Sequence, residues 1–189
     1  MESLKGSSLG TDTGVLSDFI DKSNLNYLEI GCFDGVTLTT IALKYKNKKI
    51  YGIDPFISDG HTGTVIDTVL ETQKQNLNSN ISNADNIIFF ESTTDQFLKE
   101  KPNYTKLNID CVFVDGSHHY KDIMIDIGVA MECFSNNENK KGIIIFHDVE
   151  LDDVGKAISE FKINCDNKNI SYTDISVTHY GAFEVNFNQ

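Results

Sequence analysis

The sequence predicts an α/β fold: an open, mostly parallel sheet with helices on both faces and a C-terminal β-hairpin. Three observations carry that prediction. Short apolar runs bounded by turn residues alternate with stretches of helical period, giving five β-then-α units in succession. Nearly every run stops at a polar residue: Glu29, Asp54, Ser92, Asp115, His147 and Asp148. The last segment changes period, because Ser171 to His179 and Ala182 to Phe187 alternate as two strands of a hairpin around Tyr180-Gly181.

Taken in order, residues 1–10 are small and polar and read as a loose arm. Val15, Leu16, Phe19 and Ile20 mark a short amphipathic helix, so residues 1–25 form an N-terminal arm and helix ahead of a core spanning 27–161, all in one domain with the hairpin over 171–187. The first strand is Asn26 to Ile30, followed by a glycine turn and a helix that turns Leu38, Ile41, Ala42 and Tyr45 toward the sheet. The second strand, Lys49 to Ile53, ends in Asp54-Pro55. A long polar connection from Phe56 to Asn86 contains His61 and a helix through Val65, Ile66, Val69 and Leu70, and is a candidate lid.

The third strand, Asn86 to Phe90, is a continuous apolar run of the kind expected of a parallel strand covered on both faces. A helix over Thr94 to Glu100 stops before Pro102. The fourth strand, Ile109 to Val114, leads into D-G-S-H-H-Y and a helix striped by Ile123, Ile127, Met131 and Phe134. The fifth, Gly142 to Phe146, delivers His147-Asp148, and Val154, Ile158 and Phe161 mark the helix after it.

Composition narrows the partners. With 16 basic and 28 acidic residues the net charge is −12, which repels nucleic-acid backbones and anionic membrane surfaces. The one local exception, Lys44 to Lys49, reads as the solvated C-terminal end of a helix, where lysines also suit the dipole. Four widely separated cysteines without a C-x-x-C pair argue against a zinc ribbon or disulfide framework and for a reducing compartment. No signal-peptide pattern opens the sequence and no apolar run is long enough to span a membrane, so the expectation is a cytoplasmic protein.

In open parallel sheets ligands bind beyond the carboxyl ends of the strands, which directs attention to Y-L-E-I-G-C-F-D-G at Tyr27 to Gly35. Gly31 and Gly35 suit positive φ and a close backbone approach to a ligand. A dinucleotide fingerprint needs G-x-G-x-x-G, but the middle glycine is missing, so a pyrophosphate cradle is disfavoured. Asp54, nineteen residues past Gly35 at the end of the second strand, is placed to accept hydrogen bonds from both hydroxyls of a ribose. Its alternative role is that of an Asp-Pro turn former. An adenosine without a pyrophosphate fits both observations.

At these residues the chain resembles the class I S-adenosylmethionine-dependent methyltransferases. E-I-G-C-F-D-G, the acid of G-I-D-P-F, V-D-G-S-H-H-Y with Asp126 six residues after Tyr120, and G-I-I-I-F-H-D carry the resemblance. More narrowly it is similar to the macrocin O-methyltransferase and cephalosporin-hydroxylase-like branch. The resemblance implies a Rossmann-like methyltransferase fold, a seven-stranded sheet whose last strand is antiparallel. It places Glu29, Gly31 and Cys32, with Gly35 closing the turn, near the methionine moiety, Asp54 on the ribose, and Ser92 with Glu91 near the adenine.

Methyl transfer to a hydroxyl needs alignment and removal of a proton. The resemblance implies Asp115 as a metal ligand and His118, three residues on, as general base. Asp115 and Asp148 end neighbouring strands, and hard oxygen donors there suit Mg²⁺ or Mn²⁺. Where metal-dependent relatives carry an acid before Asp148, this chain has His147, which tilts the choice toward manganese, zinc or no metal. Asp115 as a helix N-cap and His147-Asp148 as a structural pair are the plainer alternatives.

The expected activity is thus O-methylation of a small-molecule acceptor. A metal hydrolase built on Asp115, His118, His147 and Asp148, and a non-catalytic nucleoside-binding or assembly protein, are the competing classes. With few residues ahead of the first strand, the Phe56 to Asn86 connection, the N-terminal arm or a second subunit of a homo-oligomer is expected to close the site.

Overall fold

The computed structural model of the chain describes residues 4, 12–57, 67–100 and 102–188. The elements run α1 (Asp12–Ile20), β1 (Asn26–Ile30), α2 (Val36–Lys44), β2 (Ile50–Ile53), α3 (Asp67–Ile81), β3 (Ile87–Phe90) and α4 (Thr94–Glu100). They continue through α5 (Tyr104–Leu107), β4 (Ile109–Val114), α6 (Tyr120–Asn136), β5 (Lys141–Phe146), α7 (Asp152–Asn167), β6 (Ser171–Asp174) and β7 (Gly181–Asn186). Seven strands form one sheet in the order β3-β2-β1-β4-β5-β7-β6. β1 to β5 pair in parallel, and β7 runs antiparallel to both β5 and β6. This is the Rossmann-like methyltransferase fold.

Alternation along the strands divides the core into two layers. Leu28, Ile30, Val112, Val114, Ile144 and Phe146 face α4 to α7, where they meet Phe97, Ile123, Val154 and Phe161. Tyr27, Ile50, Cys111, Phe113, Ile143 and Ile145 face α1 to α3, where Leu16, Phe19, Leu38, Ile41 and Leu77 cover them. The apolar stripes read in the sequence are the buried faces of α1, α2, α6 and α7, because each helix has only one side on which to hide its aliphatic residues.

Two readings need correction, one short element was missed, and one reading falls partly outside the described residues. β3 lies at the edge of the sheet, with Ile88 37% exposed, so its unbroken apolar run does not reflect cover on both faces. The lysines of 44–49 are not all solvated. Lys48 is 9% exposed and its ammonium donates to the carbonyls of Ser23 and Leu25 and to Ser23 Oγ, anchoring the segment before β1. The single turn of α5, capped by Asn103 accepting from the Lys106 amide, had no periodicity to announce it. In the connection after β2, His61, Val65 and Ile66 lie outside the described residues, and the described part includes α3, which seats Leu77 against Gly35.

Candidate active site

The carboxyl ends of β1, β2, β4 and β5 converge. Gly31 has φ +87°, and a Cβ there would run into the Asp115 carbonyl and the Gly116 Cα, so this glycine is required by the approach of β4's end rather than by a ligand. Gly35 (φ +73°) starts α2 and sits under Leu77 of α3. The turn is pinned by the Gly31 amide donating to Ile53 O (2.9 Å) and the Asp115 amide donating to Ile30 O (2.9 Å). One short backbone crossing therefore locks the β1–α2 turn to the loop after β4 that carries Asp115 and His118.

Glu29 lies beneath this turn, 2% exposed, accepting a hydrogen bond from the Tyr27 hydroxyl (3.1 Å). Burial, and secondarily the nearby Asp115 carboxylate, push its pKa well above the usual carboxylate range. Cys32 is 3% exposed with its thiol against the Glu29 and Ile53 carbonyls. Burial raises its pKa, which disfavours the reactive thiolate.

Asp54 performs the turn-forming role and more. Its Oδ1 accepts the Phe56 amide and its Oδ2 the Phe33 amide, each at 2.8 Å. Burial raises its pKa, while the amides of Phe56, Phe33 and Cys32 pull it back. A carboxylate has about four acceptor positions, so with three amides turned to it at least one remains open. Ser92 follows β3, and its buried hydroxyl oxygen has no hydrogen-bond partner. An unsatisfied buried hydroxyl is costly and calls for an explanation.

The second group is a linked set of four side chains. His118 Nε2 lies 2.9 Å from Asp148 Oδ2, and the same oxygen lies 3.1 Å from His147 Nδ1. His147 Nδ1 is in turn 3.2 Å from Asp115 Oδ1. The His147 pKa rises to about 9, chiefly through its contact with Asp115, against the opposing effect of burial. Asp115 shifts upward through burial, with His147 countering. Asp148 adopts φ +51°, which an Asp tolerates better than most residues, and this conformation turns the chain immediately after β5.

The sequence model of a methyltransferase domain matches residues 28–149, the segment that builds this end of the sheet. The chain belongs to that methyltransferase family. A curated relative, an uncharacterised protein of Acanthamoeba polyphaga mimivirus, is 29% identical over 136 residues, 71% of this chain. The chain spans 56% of that relative's length.

Solved structures share the fold at low identity. S-adenosylhomocysteine-bound PaMTH1 of Podospora anserina has a TM-score of 0.64 at 14% identity, covering 97% of this chain and 80% of its own. Precorrin-6y C5,15-methyltransferase of Geobacter metallireducens has a TM-score of 0.60 at 15% identity, covering 100% and 92%. CalS11, a TDP-rhamnose 3′-O-methyltransferase of calicheamicin biosynthesis, has a TM-score of 0.59 at 12% identity, covering 95% and 78%.

Within the methyltransferase domain, Asp115, His147 and Asp148 form a group whose ligand atoms lie within 4.8 Å of one another, so their positions and donor types suit a divalent cation. An ion would have to displace the His147 proton, which the raised pKa holds firmly. His118 meets this group at Asp148. His119 and His179 are exposed.

The surroundings of three residues were not legible in the sequence. The Tyr180 ring packs 5.3 Å from His147 and Phe113 packs 6.2 Å from it, so the hairpin and β4 together brace the imidazole. Asp126, 3% exposed, sits behind Gly116 and hydrogen-bonds Thr94. Phe33 is half exposed in the β1–α2 turn. None of the three has a local signal for its role, because each role depends on a partner distant in sequence.

Proposed function

We propose that this methyltransferase moves a methyl group from S-adenosylmethionine to a hydroxyl of a small-molecule acceptor. The observation that carries the reading is the His118–Asp148 contact at 2.9 Å, at the same sheet end as the glycine turn and Asp54. The His118 side chain is one-third exposed, at 33%, and thus reachable by an acceptor. Bound S-adenosylmethionine supplies an electrophilic methyl on a positively charged sulfur. His118 takes up the acceptor's hydroxyl proton, and Asp148, at its Nε2, orients the ring and stabilises the imidazolium that forms.

Asp54 receives the ribose hydroxyls with its remaining acceptor positions, Gly31 and Cys32 line the methionine side, and Ser92 meets the base. Asp115, His147 and Asp148 are the residues that would hold a divalent ion. With one imidazole among two carboxylates the set favours Mn²⁺ or Zn²⁺ over Mg²⁺. When bound, such an ion supplies Lewis acidity at the acceptor oxygen. The sugar acceptor in the name of CalS11 supports a hydroxylated small molecule as substrate, as does a net charge of −12, which disfavours nucleic acid. The macrocin-type branch is the subgroup that the D-G-S-H-H-Y segment supports.

The reading is tested by transfer of labelled methyl groups from S-adenosylmethionine across sugar, catechol and carboxylate acceptors. His118→Ala is expected to lower turnover by roughly 10² to 10⁴ while leaving S-adenosylmethionine affinity within about two-fold. Unchanged turnover would remove His118 from the chemistry. The cluster Asp115, His147 and Asp148 also favours a metal hydrolase as a second reading, and that enzyme would bind metal yet show no affinity for S-adenosylhomocysteine.

A further inference from the structure

The β1–α2 turn contains a residue that its glycines and acids leave unaccounted for. Phe33 is flanked by Cys32 and Asp34, 3% and 4% exposed, yet is itself 50% exposed with φ +50°. Bulky residues rarely take the left-handed conformation, and they keep it only where the surroundings enforce it. Asp54 does the enforcing. Its two oxygens accept the amides of Phe33 and Phe56, and Phe56 also has φ +50°. Phe56 is then packed on Phe89 at 5.9 Å with the Lys74 ammonium 5.8 Å from its ring centroid. Phe33 is held just as firmly by its backbone, and its ring is half in solvent.

We propose that the Phe33 ring is the surface against which the sulfonium of bound S-adenosylmethionine rests, and that it lets the site favour the cationic donor over its neutral product. The proposal rests on the functional reading above. Its placement follows from the order of bonds in the cofactor, where the sulfonium joins the methionine chain to the ribose. Phe33 has the matching order in the protein. On one side are Gly31 and Cys32, and on the other is Asp54, the ribose acceptor, whose carboxylate holds the Phe33 amide itself. An aromatic face attracts a cation through its quadrupole, whereas a neutral thioether receives only packing. A single exposed apolar residue needs no explanation by itself; one held in a strained conformation by a largely buried acid does.

The test is calorimetric titration of the full chain with S-adenosylmethionine and with S-adenosylhomocysteine. Phe33→Leu keeps the apolar cover and removes the π face. It is expected to weaken S-adenosylmethionine about two- to five-fold more than S-adenosylhomocysteine, the worth of a cation–π contact at a partly exposed site. Phe33→Gly relieves the left-handed strain, so its unfolding midpoint is expected at or above that of the wild type while its affinity for both ligands falls. Equal effects of Phe33→Leu on the two ligands, or no effect on either, would overturn the proposal, as would a lowered midpoint for Phe33→Gly. Wild-type protein that binds neither ligand would overturn the functional reading and this proposal together, whereas a wild type that binds both and a variant with an unchanged ratio would overturn the proposal alone.

Discussion

Asp54 is a structural clamp in the fold and the ribose acceptor in the proposed function. Its oxygens close both turns at the mouth of the site through the Phe33 and Phe56 amides, and its remaining acceptor capacity is what the proposed ribose contact would use. Asp54→Ala is therefore expected to have two effects. S-adenosylhomocysteine affinity should fall by about 1.5–3 kcal/mol for each charge-assisted bond lost. The unfolding midpoint should fall as well, because two left-handed phenylalanines lose the acceptor that holds them. Calorimetry and a thermal melt separate the two effects, and an unchanged midpoint would show that the clamp adds nothing to stability. The turn-forming role of Asp54 was readable from Asp-Pro, and its spacing to Gly35 is what suggests the proposed ribose role. Its grip on Phe33 was not, because that contact joins two turns 21 residues apart. For the same reason the sequence offered His118 as a base but not its pairing with Asp148, 30 residues away.

At the level of elements, the site depends on how closely β1, β4 and α6 meet. Gly31→Ala places a Cβ on the Asp115 carbonyl and Gly116 in a backbone of φ +87°. Overpacking and left-handed strain together are expected to cost about 2–5 kcal/mol in denaturant unfolding, and a loss below ~0.5 kcal/mol would show that the crossing is loose. Asp126 fastens α6 to α4 through Thr94 behind the same loop, and burial raises its pKa to about 7. The folded-state value exceeds the unfolded one, so the stabilisation is complete below pH ~4 and is lost as pH rises through about 7. Asp126→Asn lacks this titration. Between pH 4 and 7 the wild type is expected to lose on the order of 1–4 kcal/mol of stability relative to the variant, and parallel curves would contradict the assignment. Elements with strong patterns, such as β1, β4 and α4, were legible to their end residues. The one-turn α5 was not, since four residues cannot display a helical period.

For the molecule as a whole, the strand order decides what the site is made of. Placing β1 beside both β2 and β4 brings Asp54 and Asp115 to opposite sides of one glycine turn, and placing β7 against β5 sets Tyr180 on His147. Local sequence cannot specify that order. It reads β3 as a doubly covered strand because Ile87 to Phe90 are all apolar, whereas topology puts the strand at the edge. The polar strand ends, by contrast, were legible without the order, because in a parallel sheet they share one end whatever their sequence across it.

The central claim is that this shared end binds an adenosyl cofactor. Titration calorimetry with S-adenosylhomocysteine tests it most directly. Saturable one-to-one binding to the wild-type chain, weakened in Asp54→Ala, is the predicted result, and the absence of any binding heat from wild-type protein would contradict it.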